Sequence, residues 1–394
     1  MSDILNTHPW LTFTLDLREV KHDLWLILGK IQAKIEQIRG ALMSPNLASE
    51  FRRIALVKGA LATTAIEGNT LTQEEVEQRI KGALTLPPSK AYLGQEIDNV
   101  VEAYNQIGNE LLSHPASPLT LERLNAYNAL VLRGLTLGED VVPGTLRQHR
   151  VGVGRYQCPN PQDLPELVER FCAWMNQPFG AQNPTWRTAF GVLQAVIAHV
   201  YFAWIHPYGD GNGRTARLIE FRIALSAGVP DTAAHLLSNF YNQTRSNYYL
   251  YLQRASEEHD RGGLLGFVEY SLQGFVDALD EQIKSIEGSQ IRAQWRDYLY
   301  EQFAAYPGKT SERRHRLMID LSDAYVRDGL KPIAPKHIPL LSPRLAELYA
   351  DRTQRTLQRD LSALEQDRML LKHPDGYAPN IDILRGKEPP PEKP

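Results

Sequence analysis

The sequence predicts a mainly α protein, a helical bundle interrupted by one small β-hairpin, with a smaller helical module towards its C-terminal end. Three observations predict it. Apolar residues recur at three- and four-residue steps over most of residues 11 to 290, the period of helices with one buried face. Strand-like alternation is confined to residues 139–161 and to two short segments after Leu370. Near residue 300 the composition shifts, and Pro307-Gly308 breaks the helical pattern.

In order along the chain, Leu24, Trp25, Leu28, Ile31, Ile35 and Ile38 mark a first helix. A second runs from about residue 48 to residue 66, with Ile54, Val57 and Leu61 inward, and Gly68 supplies a left-handed cap after it. Thr72 with Glu75 three residues on is a capping box that opens the next helix, and Pro87-Pro88 is expected to end it. Pro143-Gly144 is a turn. Val151, Val153 and Tyr156 then alternate with Gly152, Gly154 and Arg155 as a hairpin. Helices resume at about Leu164. An apolar helix covers Trp186 to Ile205, and another covers Thr215 to Ala227, stopped by Gly228 and Pro230. The expected division is a helical region over 1–115, a core over 116–290, a module over 300–386 and a disordered tail over 387–394.

A net charge of -3 argues against a wholesale polyanion binder, so nucleic-acid contact is local if it occurs. Two cysteines, Cys158 and Cys172, make neither a disulfide scaffold nor a four-ligand zinc site, and they read as reduced thiols. The opening MSDILNTHPW lacks the basic start and apolar stretch of a secretory signal. The apolar run Ala195 to Ile205 contains His199 and is short for a bilayer. A cytoplasmic protein without a membrane partner is expected.

The densest chemistry lies between His206 and Arg217. Gly209, Gly211 and Gly213 let backbone N–H groups converge where a helix begins, and a helix N-terminus receives phosphates. Asp210 is a hard oxygen ligand suited to Mg²⁺. Arg214 and Arg217, three apart, share one helix face and can grip phosphate oxygens. Each residue also has a plainer reading: a tight turn, an aspartate bonding its own backbone, a solvated arginine face. Two cations beside a helix N-terminus oppose its dipole, however, which makes sense mainly beside an anion. His206 has the pKa range to accept a hydroxyl proton. The bland alternative is a buried structural histidine, which is the reading for His199.

The run His206-Pro207-Tyr208-Gly209-Asp210-Gly211-Asn212-Gly213-Arg214-Thr215-Ala216-Arg217 resembles the motif of the Fic family of nucleotidyl transferases, H-P-F-x-D/E-G-N-G-R-x-x-R, with Tyr208 in place of Phe. The stretch His199 to Ile205 resembles that family's lead-in helix. The hairpin from about Arg147 to Tyr156 resembles its flap, which pairs with an extended target segment and sets Val153 and Gly154 beside the nucleotide. Tyr248-Tyr249 resembles a pair bordering the base, although such pairs are more often core. The resemblance implies a Fic-type bundle and transfer of AMP from ATP to a Tyr, Thr or Ser hydroxyl of a protein, this chain included. In that scheme His206 is the base and Asp210 holds Mg²⁺. Gly211, Asn212 and Gly213 steady the α-phosphate, and Arg214 and Arg217 hold the outer phosphates.

Thr63-Thr64-Ala65-Ile66-Glu67-Gly68-Asn69 resembles the inhibitory motif of many Fic proteins, S/T-x-x-x-E-G/N. Thr63 and Glu67 share a helix face. The resemblance implies that Glu67 pairs with Arg217 and restrains transfer; the plain alternative is a glutamate in water. Some proteins braked in this way also remove AMP. Other phosphate transfer on the same loop, or a DNA-binding regulator that merely senses nucleotide, are the rival functions. A homodimer stays open.

Between Lys309 and Arg385 there are fourteen basic and eleven acidic residues in a chain that is otherwise net acidic. A short helix from Pro343 to Ala350 buries Leu345 and Leu348. Thr353 is the N-cap of a second helix that buries Leu357, Leu361 and Leu364. The outer face of that helix carries Gln354, Arg355, Gln358 and Arg359. Leu370 to Tyr377 reads as two strands around a tight turn. This is similar to the winged helix-turn-helix of bacterial regulators, which implies DNA contact through Arg355, Gln358 and Arg359; such modules also bind proteins.

Overall fold

The computed structural model describes residues 7–17, 20–179, 184–257, 261–305, 307–327 and 329–385; the tail expected over 387–394 lies outside the described residues. It is mainly helical and divides into two compact units, Met1–Ile283 and Lys284–Pro394.

The first unit begins with helices α1 (His22–Gly40), α2 (Pro45–Ala65), α3 (Gln73–Ile80), α4 (Ala91–Ser113) and α5 (Leu121–Leu132). Strands β1 (Gly152–Val153) and β2 (Tyr156–Gln157) pair antiparallel, with Val153 opposite Tyr156. Helices α6 (Leu164–Met175), α7 (Arg187–Ile205), α8 (Asn212–Ser226), α9 (Leu236–Gln243) and α10 (Arg245–Glu257) follow. Helix α11 (Arg261–Ala304) contributes its first part to this unit and its remainder to the second.

Local signals set most of the boundaries. Ser44 Oγ accepts from Leu47 N at 3.3 Å and Pro45 occupies the first turn, so α2 starts a few residues before its apolar periodicity does. The Thr72 capping box forms, with Thr72 N donating to Glu75 Oε2 at 2.8 Å and Glu75 N to Thr72 Oγ1 at 3.2 Å. Helix α3 stops at Ile80, well before Pro87-Pro88, because Gly82 takes a left-handed φ of 71°. Pro88 instead opens a 3₁₀ turn over Pro88–Lys90.

Helices α7 and α8 pack along each other at the centre of the first unit, and α2, α4 and α5 close on α8. The segment Pro184–Ile205 is long and apolar enough by length and composition to cross a membrane, and it is mostly buried inside the protein. The sequence division near residue 115 falls in the loop between α4 and α5, whose flanking helices belong to one unit.

In the second unit, α12 (Lys309–Arg327), α13 (Pro343–Ala350) and α14 (Gln354–Gln366) precede the antiparallel hairpin β3 (Leu370–His373) and β4 (Gly376–Pro379). Its core gathers Trp295, Leu317, Leu321, Leu345, Leu361 and Leu364, with Leu348 partly buried against it. Trp295 Nε1 is satisfied by Ser322 Oγ at 2.8 Å. Ile333 adds a bridge to Tyr377, a pairing too short to leave a strand pattern in the sequence. Thr353 occupies the N-cap of α14 with extended backbone, yet its side chain makes no cap bond; its carbonyl accepts from Thr356 N at 2.8 Å.

Candidate active site

Helix α7 ends because His206 turns left-handed, at φ 46° and ψ 60°, while its N–H still donates to Phe202 O at 2.9 Å. A non-glycine residue held there is strained unless its surroundings fix it. Arg147 does so. Its Nε donates to His206 O at 2.8 Å and its backbone N to Pro207 O at 3.0 Å. Its other nitrogens reach His149 O at 2.8 Å and Pro159 O at 2.7 Å. One buried guanidinium thus ties the histidine to both sides of the hairpin. A buried arginine served by carbonyls leaves no sequence pattern, and Arg147 is a residue the sequence reading missed as part of the site.

The His206 ring is half-buried, and burial lowers its pKa to about 4; the carbonyl of Ala203 and the charges of Glu67 and Asp210 oppose that shift, while Arg147 reinforces it. The imidazole is therefore neutral near pH 7 and able to take a proton.

The loop that follows is stapled from within. Asn212 Nδ2 donates to Tyr208 O at 2.8 Å, and Asn212 Oδ1 accepts from Tyr208 N at 3.0 Å. Both ends of the Asn212 carboxamide are thus engaged within the loop, whereas the resemblance set that residue against the α-phosphate. Tyr208, the departure from the motif, is fully buried and its hydroxyl donates to Asn125 Oδ1 at 2.8 Å. The extra hydroxyl costs little because a partner waits one helix away. Asn128, also on α5, donates to Asp210 O at 2.9 Å and accepts from Gly144 N at 2.9 Å. Two asparagines three apart in a helix are a faint sequence signal, since they are poor helix formers.

Gly211 caps α8 with a φ of 75°, and α8 begins at Asn212, one turn earlier than the apolar period suggests. Gly213, Arg214 and Arg217 consequently sit in its first two turns. Both arginines are occupied by carboxylates. Arg217 is fully buried, and its Nη2 donates to Glu67 Oε1 at 2.6 Å and to Thr63 O at 2.9 Å. Arg214 Nη1 meets Glu96 Oε1 at 3.1 Å and its Nη2 meets Asp210 Oδ1 at 3.3 Å. Glu96 was not singled out in the sequence; it borders the apolar stripe of α4 like any helix glutamate, and only packing brings it to Arg214. Asn69, two residues after Glu67, donates to Glu96 Oε2 at 2.9 Å and links the two pairs.

Glu67 lies directly over Gly213: a Cβ there would collide with its carboxylate. Burial alone would raise the Glu67 pKa, but Arg217, through charge and hydrogen bond, with Arg214 and Arg245, holds it below the usual carboxylate range. Burial likewise works against the Arg217 charge, and Glu67 outweighs it, so Arg217 stays charged. Glu96 is pushed up by its own burial, with Glu67 and Asp210 adding to the shift. Thr63 participates through its carbonyl, and its hydroxyl is turned to the Tyr104 hydroxyl at 2.7 Å.

The expected tyrosine pair splits. Tyr248 is buried in the core, its hydroxyl 3.0 Å from His199 Nε2, and His199 is buried there as a structural histidine would be. Tyr249 is 45% exposed and donates to Ile66 O at 2.8 Å, beside Arg245 Nη2 on the same carbonyl at 2.6 Å. Two donors thus cap the end of α2 where Glu67 follows. Val153 is 49% exposed on β1, and Gly154 makes the hairpin turn at φ 61°.

Arg214 Nε and Arg217 Nε and Nη1 are buried without a hydrogen-bond partner. Buried donors on two cations at a helix N-terminus fit a polyphosphate. Asp210 is half-exposed, with a single carboxylate; that suits Mg²⁺, which takes one or two carboxylates plus phosphate and water oxygens.

Residues 118–224 match the Fic/DOC family. The chain is 26% identical over 234 residues to protein adenylyltransferase fic-1 of Caenorhabditis elegans, covering 58% of this chain and 42% of that one. It is 28% identical over 241 residues to protein adenylyltransferase Fic of Drosophila sechellia, covering 60% and 42%. The chain thus spans less than half the length of these curated relatives. Among solved structures, a Fic family protein from Desulfovibrio desulfuricans G20 superposes with a TM-score of 0.56 at 20% identity, covering 93% of this chain and 98% of that one. The family match falls on the helices and loop that carry His206, Asp210, Arg214 and Arg217, so it is residues 118–224 that are similar to the Fic/DOC family.

Proposed function

We propose that this protein is an autoinhibited protein adenylyltransferase that moves AMP from ATP to a Tyr, Thr or Ser hydroxyl of a target protein or of itself. One observation carries the reading: a neutral histidine closes α7 and opens the loop into α8, whose first turns hold two buried guanidinium groups with unpartnered donors. Similarity to proteins named adenylyltransferases supports it.

In this mechanism the polyphosphate lies against the N-terminus of α8, held by Arg214 and Arg217. His206 takes the proton of the target hydroxyl. The oxygen forms a bond to the α-phosphorus as the bond to the β-phosphate bridge breaks, and pyrophosphate leaves with that electron pair. Mg²⁺ held by Asp210 would neutralise charge on the leaving phosphates. Arg147 keeps His206 at the mouth of the loop, so positioning and electrostatics supply the catalysis. Glu67 occupies the guanidinium that the outer phosphate needs, and this is the brake.

The test uses α-labelled ATP with Mg²⁺ and compares wild type, Glu67→Gly and Glu67→Gly/His206→Ala. Label on protein in the single variant alone is the expected result. Label in none of the three, with γ-label transferred instead, would replace adenylyl by phosphoryl transfer.

A further inference from the structure

Strands β1 and β2 have two residues each, too few to hold a hairpin in place unaided. Its position beside His206 therefore depends on contacts from elsewhere. Val153 pairs with Tyr156 and Gly152 with Gln157, while Cys158 N donates to Val151 O at 3.2 Å. Ladder bonds alternate in direction along an antiparallel strand, so the Gln157 carbonyl points away from β1. The group that meets it comes from 149 positions earlier: His8 Nε2 donates to Gln157 O at 3.0 Å. The rings of His8 and Trp10 also pack on Tyr156, with centroids 6.2 and 6.3 Å away.

The segment that carries His8 is itself fixed. Leu11 N donates to His8 O at 3.1 Å, and Leu11 and Phe13 are buried. Phe13 lies edge-on to Trp174 of α6 at 6.0 Å, with the Arg170 guanidinium 4.8 Å over its ring. Its φ of 53° is left-handed, which a non-glycine residue keeps only where packing holds it. Burial of Leu11 and Phe13 anchors the segment without His8, so the histidine is spent on the hairpin. From there two ties lead to the end of α7. The Tyr156 hydroxyl donates to Trp204 O at 3.0 Å, and Arg147 joins Pro159 O, two residues after Gln157, to His206 O.

We propose that residues 8–13 form a strap that positions the catalytic base: His8 is a positioning residue that holds β2 and, through Tyr156 and Arg147, fixes the orientation of His206. The role rests on the reading of His206 as the base of adenylyl transfer, whereas the mechanical link from His8 to His206 does not.

Two measurements on the full chain test it: amide hydrogen exchange without nucleotide, over residues 147–158 and 203–210, and kinetics with α-labelled ATP in the Glu67→Gly background. His8→Ala is expected to speed exchange about fivefold in both segments, as loss of one hydrogen bond does, with the interior of α8 unchanged. Its kcat should fall about tenfold while KM for ATP stays nearly constant, because Arg214 and Arg217 are untouched. His8→Gln keeps an N–H donor near the Nε2 position and should restore most of both. Unchanged exchange over 147–158 in His8→Ala, or faster exchange that spares 203–210, overturns the proposal. So does an unchanged kcat, or a rise in KM that matches the fall in kcat. Absence of label from the Glu67→Gly parent would overturn adenylyl transfer instead, and the exchange result would still decide the strap.

Discussion

Replacing Glu67 by glycine removes one partner of a pair whose other member, Arg217, is wholly buried. Breaking a buried pair by deleting one charge costs about 3–5 kcal/mol when nothing replaces it. The Glu67 side chain is 33% exposed, which puts its share at the lower end, about 3 kcal/mol. A nucleotide entering the wild type must first give up that interaction, whereas in Glu67→Gly the phosphate meets a guanidinium already seeking an anion. At 1.4 kcal/mol per factor of ten, the variant should transfer AMP about a hundredfold faster at sub-saturating ATP. Initial rates with α-labelled ATP measure this. Glu67→Gln separates charge from bulk, because the amide still fills the space over Gly213 while losing most of its attraction to Arg217; an intermediate rate is expected. A change below about threefold in Glu67→Gly, with nucleotide shown to bind, would refute the claim that this contact is the brake.

Three other perturbations probe the site. Arg147→Lys keeps the charge but cannot serve three carbonyls in one plane, so His206 should lose its fixed orientation; in the Glu67→Gly background kcat should fall about 10- to 100-fold with KM for ATP nearly unchanged, and an equal rise in KM would place Arg147 at the nucleotide instead. Because His206 must be neutral to act and its pKa is lowered to about 4, the rate of Glu67→Gly should stay flat from neutral pH down to about pH 5 and fall only near 4, where an unshifted histidine would fail near 6.5. The brake follows the opposite sign: the Glu67 pKa is lowered on folding, so its stabilisation is present above the ordinary value of 4.5 and is lost only as pH falls through the lowered one, which leaves wild type restrained throughout that range. Tyr208→Phe restores the family residue, removes one buried hydrogen bond to Asn125, and should cost about 1 kcal/mol of stability in a denaturant melt with little change in rate.

The site was legible wherever its residues are close in sequence. Glycines, a carboxylate and arginines within twelve positions were legible as one cluster because one helix N-terminus brings them together without help from the rest of the chain. The capping box at Thr72 and the glycine after Glu67 were readable for the same reason, since a cap is made by neighbours. Errors arose where the backbone or packing decided. Helix α3 stopped at Gly82 and not at the prolines, and α8 began at Asn212, because apolar periodicity reports which side chains are buried and not where backbone hydrogen bonding starts. The Tyr248-Tyr249 pair divided between core and surface because adjacent helix positions point about 100° apart.

The order of residues along the loop, and a glutamate just past the end of α2, could be read from the chain alone. Their partners could not: Glu67 and Arg217 are 150 residues apart, Glu96 and Arg214 are 118, and Arg147 reaches the His206 carbonyl across 59. Such contacts depend on how whole helices pack, and a polar side chain that serves a distant partner looks, in its own neighbourhood, like any solvated one.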